Sequence, residues 1–368
     1  MFSSEGSKLN NRTRTIISTL IILVALALTF APLPGLSKSL VIVSGTELQA
    51  PLQELAQQFQ VKNPQVKIEL KFQGSQDIVN NYIDRKNDFE PTILIPAEGE
   101  ILQELKERYQ AQENSNPFYG TPQPIAKTRL VAIAWQERGK VLFPDDRFRW
   151  QNLTEALQKA EWSKIGGKSN WGSFDLAFTN PTRSNSGQLT LDLWVKSLNQ
   201  ELNSPEAKNL FSLIKRSVYR PARSTDILLQ EYIARGANDA DVATVYESIA
   251  LSRWQQAQTS QGASYQIYYL NPTIETIATA AIPRRNVNSS SAKVAQEFIE
   301  FITQPRQQEV FVSYGFRPVS RNIDLKGVVN SPWSQNIPGS EVNPAGKILP
   351  PPNIATRREI QRIWQRTN

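Results

Sequence analysis

The period of the apolar positions switches repeatedly along the chain, and the switches lay out alternating strands and helices. Ser39–Ser44 is a short apolar run that ends at Gly45-Thr46. Leu48, Leu52, Leu55, Ala56 and Phe59 then recur at helical spacing as far as Asn63-Pro64. Val66–Phe72 alternates apolar and charged residues, the mark of a half-buried strand. Gly74-Ser75-Gln76 leads into a helix carrying Ile78, Val79, Tyr82 and Ile83. Pro91–Pro96 reads as a buried strand, and Ala97-Glu98-Gly99-Glu100 opens a helix with Ile101, Leu102 and Leu105. This βαβαβα order predicts an α/β domain with parallel strands.

A Pro/Asn-rich connection over Asn114–Pro124 separates that segment from a buried strand at Leu130–Trp135, with a crossover near Lys127–Arg129. A helix at Trp150–Ala160 and a Gly/Trp loop at Trp162–Gly172 come next. In Ser173–Trp194 the alternation of Phe174, Leu176 and Phe178 predicts a strand, Asn180-Pro181 ends it, and Leu189–Trp194 continues as a helix with Ser184 or Asn185 as N-cap. Ser224–Gly236 reads as a helix, and Asp241–Tyr246 as a strand with Glu247-Ser248 opening a further helix. Strands at Tyr265–Leu270 and Thr276–Ile282 lead back to helices at Ser291–Ile302 and Gln307–Gly315. The chain therefore holds two α/β segments joined by a crossover and a return. Residues 321–368 are rich in Pro, Gly and Asn and read as a wrapping tail. Within it, Ala355–Arg366 forms a short basic helix whose apolar face is Ile360, Ile363 and Trp364, ready to dock on the body or meet a partner.

The N-terminus changes the compartment. Lys8, Arg12 and Arg14 precede the uncharged run Thr15–Ala31. A basic flank before an apolar core marks an export signal or an N-terminal anchor. The run is 17 residues, short of the ~20 that a spanning helix needs. Residues 1–38 are therefore set aside from the fold, with the body expected in the periplasm or cell envelope and residues 15–31 as the membrane contact if uncleaved.

Composition removes whole classes of chemistry. The chain has no cysteine and no histidine. Disulfides, Cys or His metal sites and the Ser-His-Asp triad are absent, so no metal or cofactor is expected. The net charge is +7, but Lys and Arg are spread without a long basic run, which argues against nucleic acid. In open α/β sheets, ligands sit beyond the carboxyl ends of strands. Ser44-Gly45-Thr46, Gly74-Ser75-Gln76 and Ala97-Glu98 are three such ends, all small or polar. Thr182–Gly187 adds hydroxyls, a helix start and the Arg183 guanidinium, a set suited to an anion or an oxygen-rich ligand.

The motif order resembles the type 2 periplasmic solute-binding proteins of ATP-driven importers, the molybdate, phosphate and iron receptors. The resemblance is carried by LVIVSGTELQAPLQELAQQF, KFQGSQDIVNNY, ILIPAEGEILQEL, LAFTNPTRSNSG and ARGANDADVATVYESIAL, and most specifically by AKVAQEFIEFITQPRQQEVFVSYGFRP. It spans roughly 39–320. It implies two α/β lobes with a ligand cleft between them: lobe 1 at 39–128 and 280–320, lobe 2 at 129–279, and the tail outside both. The cleft residues it implies are Gly45, Thr46, Ser75, Gln76, Ala97, Glu98, Arg183, Ser184, Ser186, Gly187, Tyr246 and Glu247. The chain departs from the family's Ala-Asp motif, with Asp88-Phe89-Glu90-Pro91-Thr92 in that region, and the tyrosine pair of iron binders is not visible.

Capture of a small polar or anionic ligand by lobe closure, for an importer membrane subunit, is the first functional reading. Glu98 and Glu247 argue against a bare anion filling the whole cleft. A second reading makes the same lobe pair an envelope scaffold or sensor that binds a protein. An enzyme built on Asp175, Glu98 and Glu247 lacks any nucleophile motif, so no catalysis is expected.

Overall fold

The computed structural model describes Thr19 and residues 38–218 and 220–367, so the expected export segment lies almost entirely outside the described residues. The first lobe starts with strand β1 (Lys38–Gly45), helix α1 (Gln49–Lys62), β2 (Val66–Gln73), α2 (Ser75–Ile83), β3 (Ile93–Ile95) and α3 (Gly99–Glu113). β1 pairs in parallel with both β2 and β3, as the βαβ order requires. Two cores flank this sheet because β1 sends alternate side chains to opposite faces. Leu40 and Ile42 pack with Leu52, Phe59 and Phe298 on one side, and Val43 packs with Ile78, Tyr82 and Leu102 on the other.

The crossover is one long strand, β4 (Phe118–Trp135), so the expected connection over Asn114–Pro124 is largely strand instead. Its prolines are tolerated because Pro122 and Pro124 fall at register shifts, between Tyr119 and Gln123 and between Pro124 and Ala126. The second lobe adds α4 (Gln136–Leu142), α5 (Trp150–Lys159), β5 (Leu176–Ala177), α6 (Asn185–Ser197), α7 (Pro205–Ser217), α8 (Thr225–Arg235), β6 (Val242–Tyr246), α9 (Glu247–Ser252), α10 (Trp254–Gln261) and β7 (Tyr265–Tyr269). The strand expected across Phe174–Phe178 shrinks to β5. Its neighbours are tied to loops instead, Phe174 N–H to the Ala160 carbonyl and Ala222 N–H to the Phe178 carbonyl.

β8 (Thr273–Pro283) returns antiparallel to β4 from Glu275 opposite Arg129 to Pro283 opposite Phe118. It also pairs with β3, which links the two halves in the sheet order β2-β1-β3-β8-β4-β6-β5. The upper half of β4, Leu130–Trp135, pairs with β6 and β7. The structure is thus the expected α/β pair of lobes, joined by β4 and β8. Helices α11 (Ser289–Ile302) and α12 (Pro305–Ser313) complete the first lobe.

The tail wraps back over the second lobe. Ile267 N–H donates to the Pro338 carbonyl, and Gly339 follows at φ +78°, so close to the Ile267 carbonyl that a Cβ would overlap it. Short β9 (Ile348–Leu349) pairs with β8, and α13 (Ile354–Arg366) then docks. Ile360, Ile363 and Trp364 join the second lobe's core beside Phe178 and Trp194. Among the described residues, no helix is long and apolar enough to cross a membrane.

Candidate functional site

The carboxyl ends of β1, β2, β3 and β6 meet the start of α6 between the lobes. There the lobes touch directly. Gln76 N–H donates to the Arg183 carbonyl (3.2 Å), and Gln188 Nε2 to Gln76 Oε1 (3.3 Å). Arg183 Nη2 lies 2.7 Å from Asp77 Oδ2 across the same junction.

These contacts redistribute the residues expected in the cleft. Gly45 lies under the Glu47 carboxylate, which would overlap a Cβ placed there, and Thr46 Oγ1 is buried without a partner. Ser75 Oγ accepts from Ala97 N–H (3.0 Å), which ties two strand ends together. Glu98 caps α3, its Oε1 accepting from Gly99 N–H (2.8 Å), while Oε2 is buried without a partner. Ser184 precedes α6 but its hydroxyl makes no cap bond; it meets Ser186 Oγ at 3.1 Å. Ser186 in turn meets Thr179 and Thr225. Gly187 allows the helix to press on the Thr179 carbonyl, 2.5 Å from where a Cβ would stand. Tyr246 OH accepts from Asn185 Nδ2 (3.0 Å).

Two residues do not serve as expected. Arg183, read as an anion clamp, spends its guanidinium on Asp77, because α2 lies against the loop before α6. Glu247 is taken up by Arg317, with two contacts at 2.8 Å, and by Tyr269 OH at 2.5 Å, beside the backbone of Glu341 and Val342.

What gathers instead is a buried, mainly acidic polar cluster. Burial pushes the Glu47 carboxyl up to about 7, with Asp226 adding to the rise. Burial pushes Glu98 up to about 7 as well, against the pull of Arg357. Tyr246 between them is raised by burial and by Glu47. Ser44, Ser224 and Ser248 hydroxyls are buried and unpartnered, as is Glu47 Oε1. Glu47 and Thr46 also line a cavity of about 300 Å³ whose far wall is Asp226, Ile249 and Arg253 of the second lobe. A separate cavity of about 170 Å³ is lined by Tyr82, Phe89 and Arg285. Among the described residues, no group of three or more carboxylates is placed to hold a metal ion.

Glu47 follows the Gly45-Thr46 strand end by one residue, so its place was within reach of the strand-end rule. Arg357 was not seen, although it lies three residues before Ile360 on the apolar face of α13. Its guanidinium is completely buried against Asn185 and Gln188.

The same arrangement of lobes recurs in solved structures. A periplasmic thiamin binding protein superimposes with a TM-score of 0.62 at 13% identity, covering 89% of this chain and 96% of that one. A ferric binding protein from Campylobacter jejuni gives 0.60 at 13% identity, covering 89% and 99%. The sulfate-binding protein of Mycobacterium tuberculosis gives 0.55 at 14% identity, covering 87% and 96%. No curated protein matches the chain in sequence. Residues 40–317 match the family described as bacterial extracellular solute-binding protein, and the chain belongs to that family, whose members hold a substrate and do not transform it.

Proposed function

We propose that the chain captures a small solute rich in hydrogen-bond donors, an organic cation above all, in the cleft between its lobes, and delivers it to the membrane subunit of an ATP-driven importer. One observation carries the choice of ligand. Glu47 and Glu98 are buried in the cleft with an oxygen each left unpartnered. Buried carboxyls held near neutrality favour donors, and a cation restores the charge stabilisation that burial has withdrawn. The one guanidinium expected to grip an anion, Arg183, is already bound to Asp77. The named ligands of the fold neighbours, thiamin, ferric ion and sulfate, span both signs of charge, so the cleft's own chemistry decides. Capture would proceed by rotation of the lobes about β4 and β8, without chemistry.

The test is thermal melting of the protein against organic ammonium and guanidinium compounds and, separately, sulfate, phosphate and molybdate. A cation should raise the melting temperature, more at about pH 8 than at about pH 5.5, where both carboxyls are protonated. Glu47→Gln should shrink the shift. Stabilisation by an anion alone would overturn the reading. The scaffold reading has one observation in its favour, the chain's own C-terminal helix lying across the cleft. Recovery of a stable envelope protein by a variant that no cation stabilises would move weight to it.

A further inference from the structure

We propose that the cleft contains a guanidinium subsite, built by Asn185, Gln188 and Glu98, and that Arg357 of α13 fills it in cis. The C-terminal helix is then a plug that clasps the lobes together, and an external guanidinium-bearing solute must displace it. The inference rests on the cleft reading above, yet the two fail separately. Capture is tested through Glu47, and the plug through Arg357.

An arginine side chain presents five N–H donors and does not shed its charge, so complete burial needs a built receptor. Arg357 has one. Its Nη1 donates to Asn185 Oδ1 (2.5 Å) and Gln188 Oε1 (3.1 Å), and its Nε to the Pro352 carbonyl (2.9 Å). Its Nη2 is buried without a partner, and so is Glu98 Oε2, the carboxyl whose charge attracts it most. Two buried groups of opposite sign that attract one another without bonding, each with unused capacity beside the amide oxygens of Asn185 and Gln188, form a site for donors and not an ordinary packing contact.

The receptor belongs to the cleft on both sides. Asn185 also donates to Tyr246, and Gln188 also donates to Gln76 of the first lobe. Glu98 is the strand-end carboxyl of the first lobe. The guanidinium therefore bonds the second lobe directly and reaches the first through the Gln188 bond to Gln76 and the attraction of Glu98.

Docking of the helix does not need this arginine. Ile360, Ile363 and Trp364 already bury its apolar face, and Trp364 lies 5.5 Å from the Phe178 ring. The other arginines of the helix's first turns stay outside: Arg358 reaches Glu107 of α3 at 3.9 Å, and Arg362 pairs with Glu359. On the opposite side, Lys215 of α7 donates to the Trp364 carbonyl (3.1 Å). Asn353 fixes the start of α13 by accepting from Thr356 N–H (2.9 Å), which sets Arg357 on the first turn, aimed inward. The helix thus spans the cleft from α3 to α7 while one side chain enters it.

The experiment is chemical rescue in the full chain. Arg357→Ala leaves a guanidinium-sized gap, and the probe is methylguanidinium. The variant should melt lower than wild type and regain at least half of the loss, saturably, at millimolar methylguanidinium. Methylammonium should restore much less, because only the planar fork reaches Asn185 and Gln188 with one nitrogen and the Pro352 carbonyl with another. Wild type should bind methylguanidinium at least about tenfold more weakly than the variant, since the tethered side chain competes at millimolar effective concentration. Asn185→Ala in the Arg357→Ala background should abolish rescue. An Arg357→Ala melt unmoved by methylguanidinium, or moved equally by methylammonium, overturns the proposal. If Arg357→Ala does not fold, hydrogen exchange on wild type replaces it. Millimolar methylguanidinium should then speed exchange several-fold in residues 354–366 and not elsewhere, and unchanged exchange there overturns the plug.

Discussion

Arg183 and Arg357 both bring a guanidinium to the junction of the lobes, one from the loop before α6 and one from the tail. The Arg183 side chain is 40% exposed and pairs with Asp77 at the rim. Arg357 is fully buried, bonds two amide oxygens and feels the attraction of a carboxyl that has lost part of its acidity. Solvent decides the difference. At the rim, water already solvates both charges, so joining them gains little. In the interior, no water replaces the partner, so each lost contact is felt in full. The rim pair is a solvated contact between the lobes, whereas the buried group fills the junction.

The largest effect expected from this comparison is at Arg357. Its removal leaves Asn185 Oδ1 and Gln188 Oε1 without their charged donor. Leaving each buried amide oxygen unsatisfied costs about 1–3 kcal/mol. The urea midpoint of Arg357→Ala should fall accordingly, at an unchanged m-value if the helix stays docked through Trp364. A midpoint within error of wild type would place Arg357 with Arg183.

Next is the pH response of the two buried carboxyls. Glu47 and Glu98 rise from 4.5 to about 7 on folding. The sign follows from where protons bind. Below about pH 4.5 both states are protonated and the groups contribute nothing to the pH dependence. Between about pH 4.5 and 7 the unfolded chain ionises first, so stability falls as pH rises, and the full penalty stands above about 7. Each carboxyl withdraws on the order of 3 kcal/mol at most. Glu47→Gln should flatten the slope and gain stability over wild type at about pH 8. Urea midpoints across this range would measure it, and parallel curves for the two proteins would show Glu47 charged and paired.

Much of the fold was legible, because periodicity reports burial and burial made the strands and helices. Ser75–Ile83 and Ile354–Arg366 are helices where the apolar spacing places them. The strand at Phe118–Pro124 was hidden by prolines that register shifts absorb, a tertiary effect without a local sign. The site was less legible. Strand ends pointed to Thr46 and Glu98 at the junction of the lobes, but which carboxylate meets which cation depends on how the lobes pack. Asp77 captured Arg183 from 106 positions away, and Arg317 captured Glu247 from 70. Arg357 did carry a local sign, an arginine on the same helical face as Ile360 and Trp364, where a charge needs a partner inside.

A smaller effect is expected at Gly187. A Cβ there would stand 2.5 Å from the Thr179 carbonyl and 2.9 Å from its hydroxyl. Gly187→Ala forces α6 off the loop and should cost about 1–3 kcal/mol by overpacking. Because Asn185 and Gln188 ride on the same helix, the change should also weaken methylguanidinium rescue of Arg357→Ala. Full rescue alongside the destabilisation would show that the helix start tolerates the shift.

The smallest effect belongs to Arg183, and it closes the comparison from the other end. Its pair with Asp77 is partly solvated, and Asp77 itself keeps 17% of its side-chain surface. Exposed pairs of this kind contribute at most about 1 kcal/mol, and salt screens them. Arg183→Ala should therefore barely move the urea midpoint, and the remaining difference should vanish as ionic strength rises. Its backbone carbonyl, which accepts from Gln76 N–H, survives the substitution, so the lobes keep that contact. Small-angle scattering should show an unchanged radius for Arg183→Ala, beside expansion for Arg357→Ala. Expansion of the Arg183 variant alone would reverse the assignment. The rim pair would then be the clasp, and the buried guanidinium a structural part of the second lobe.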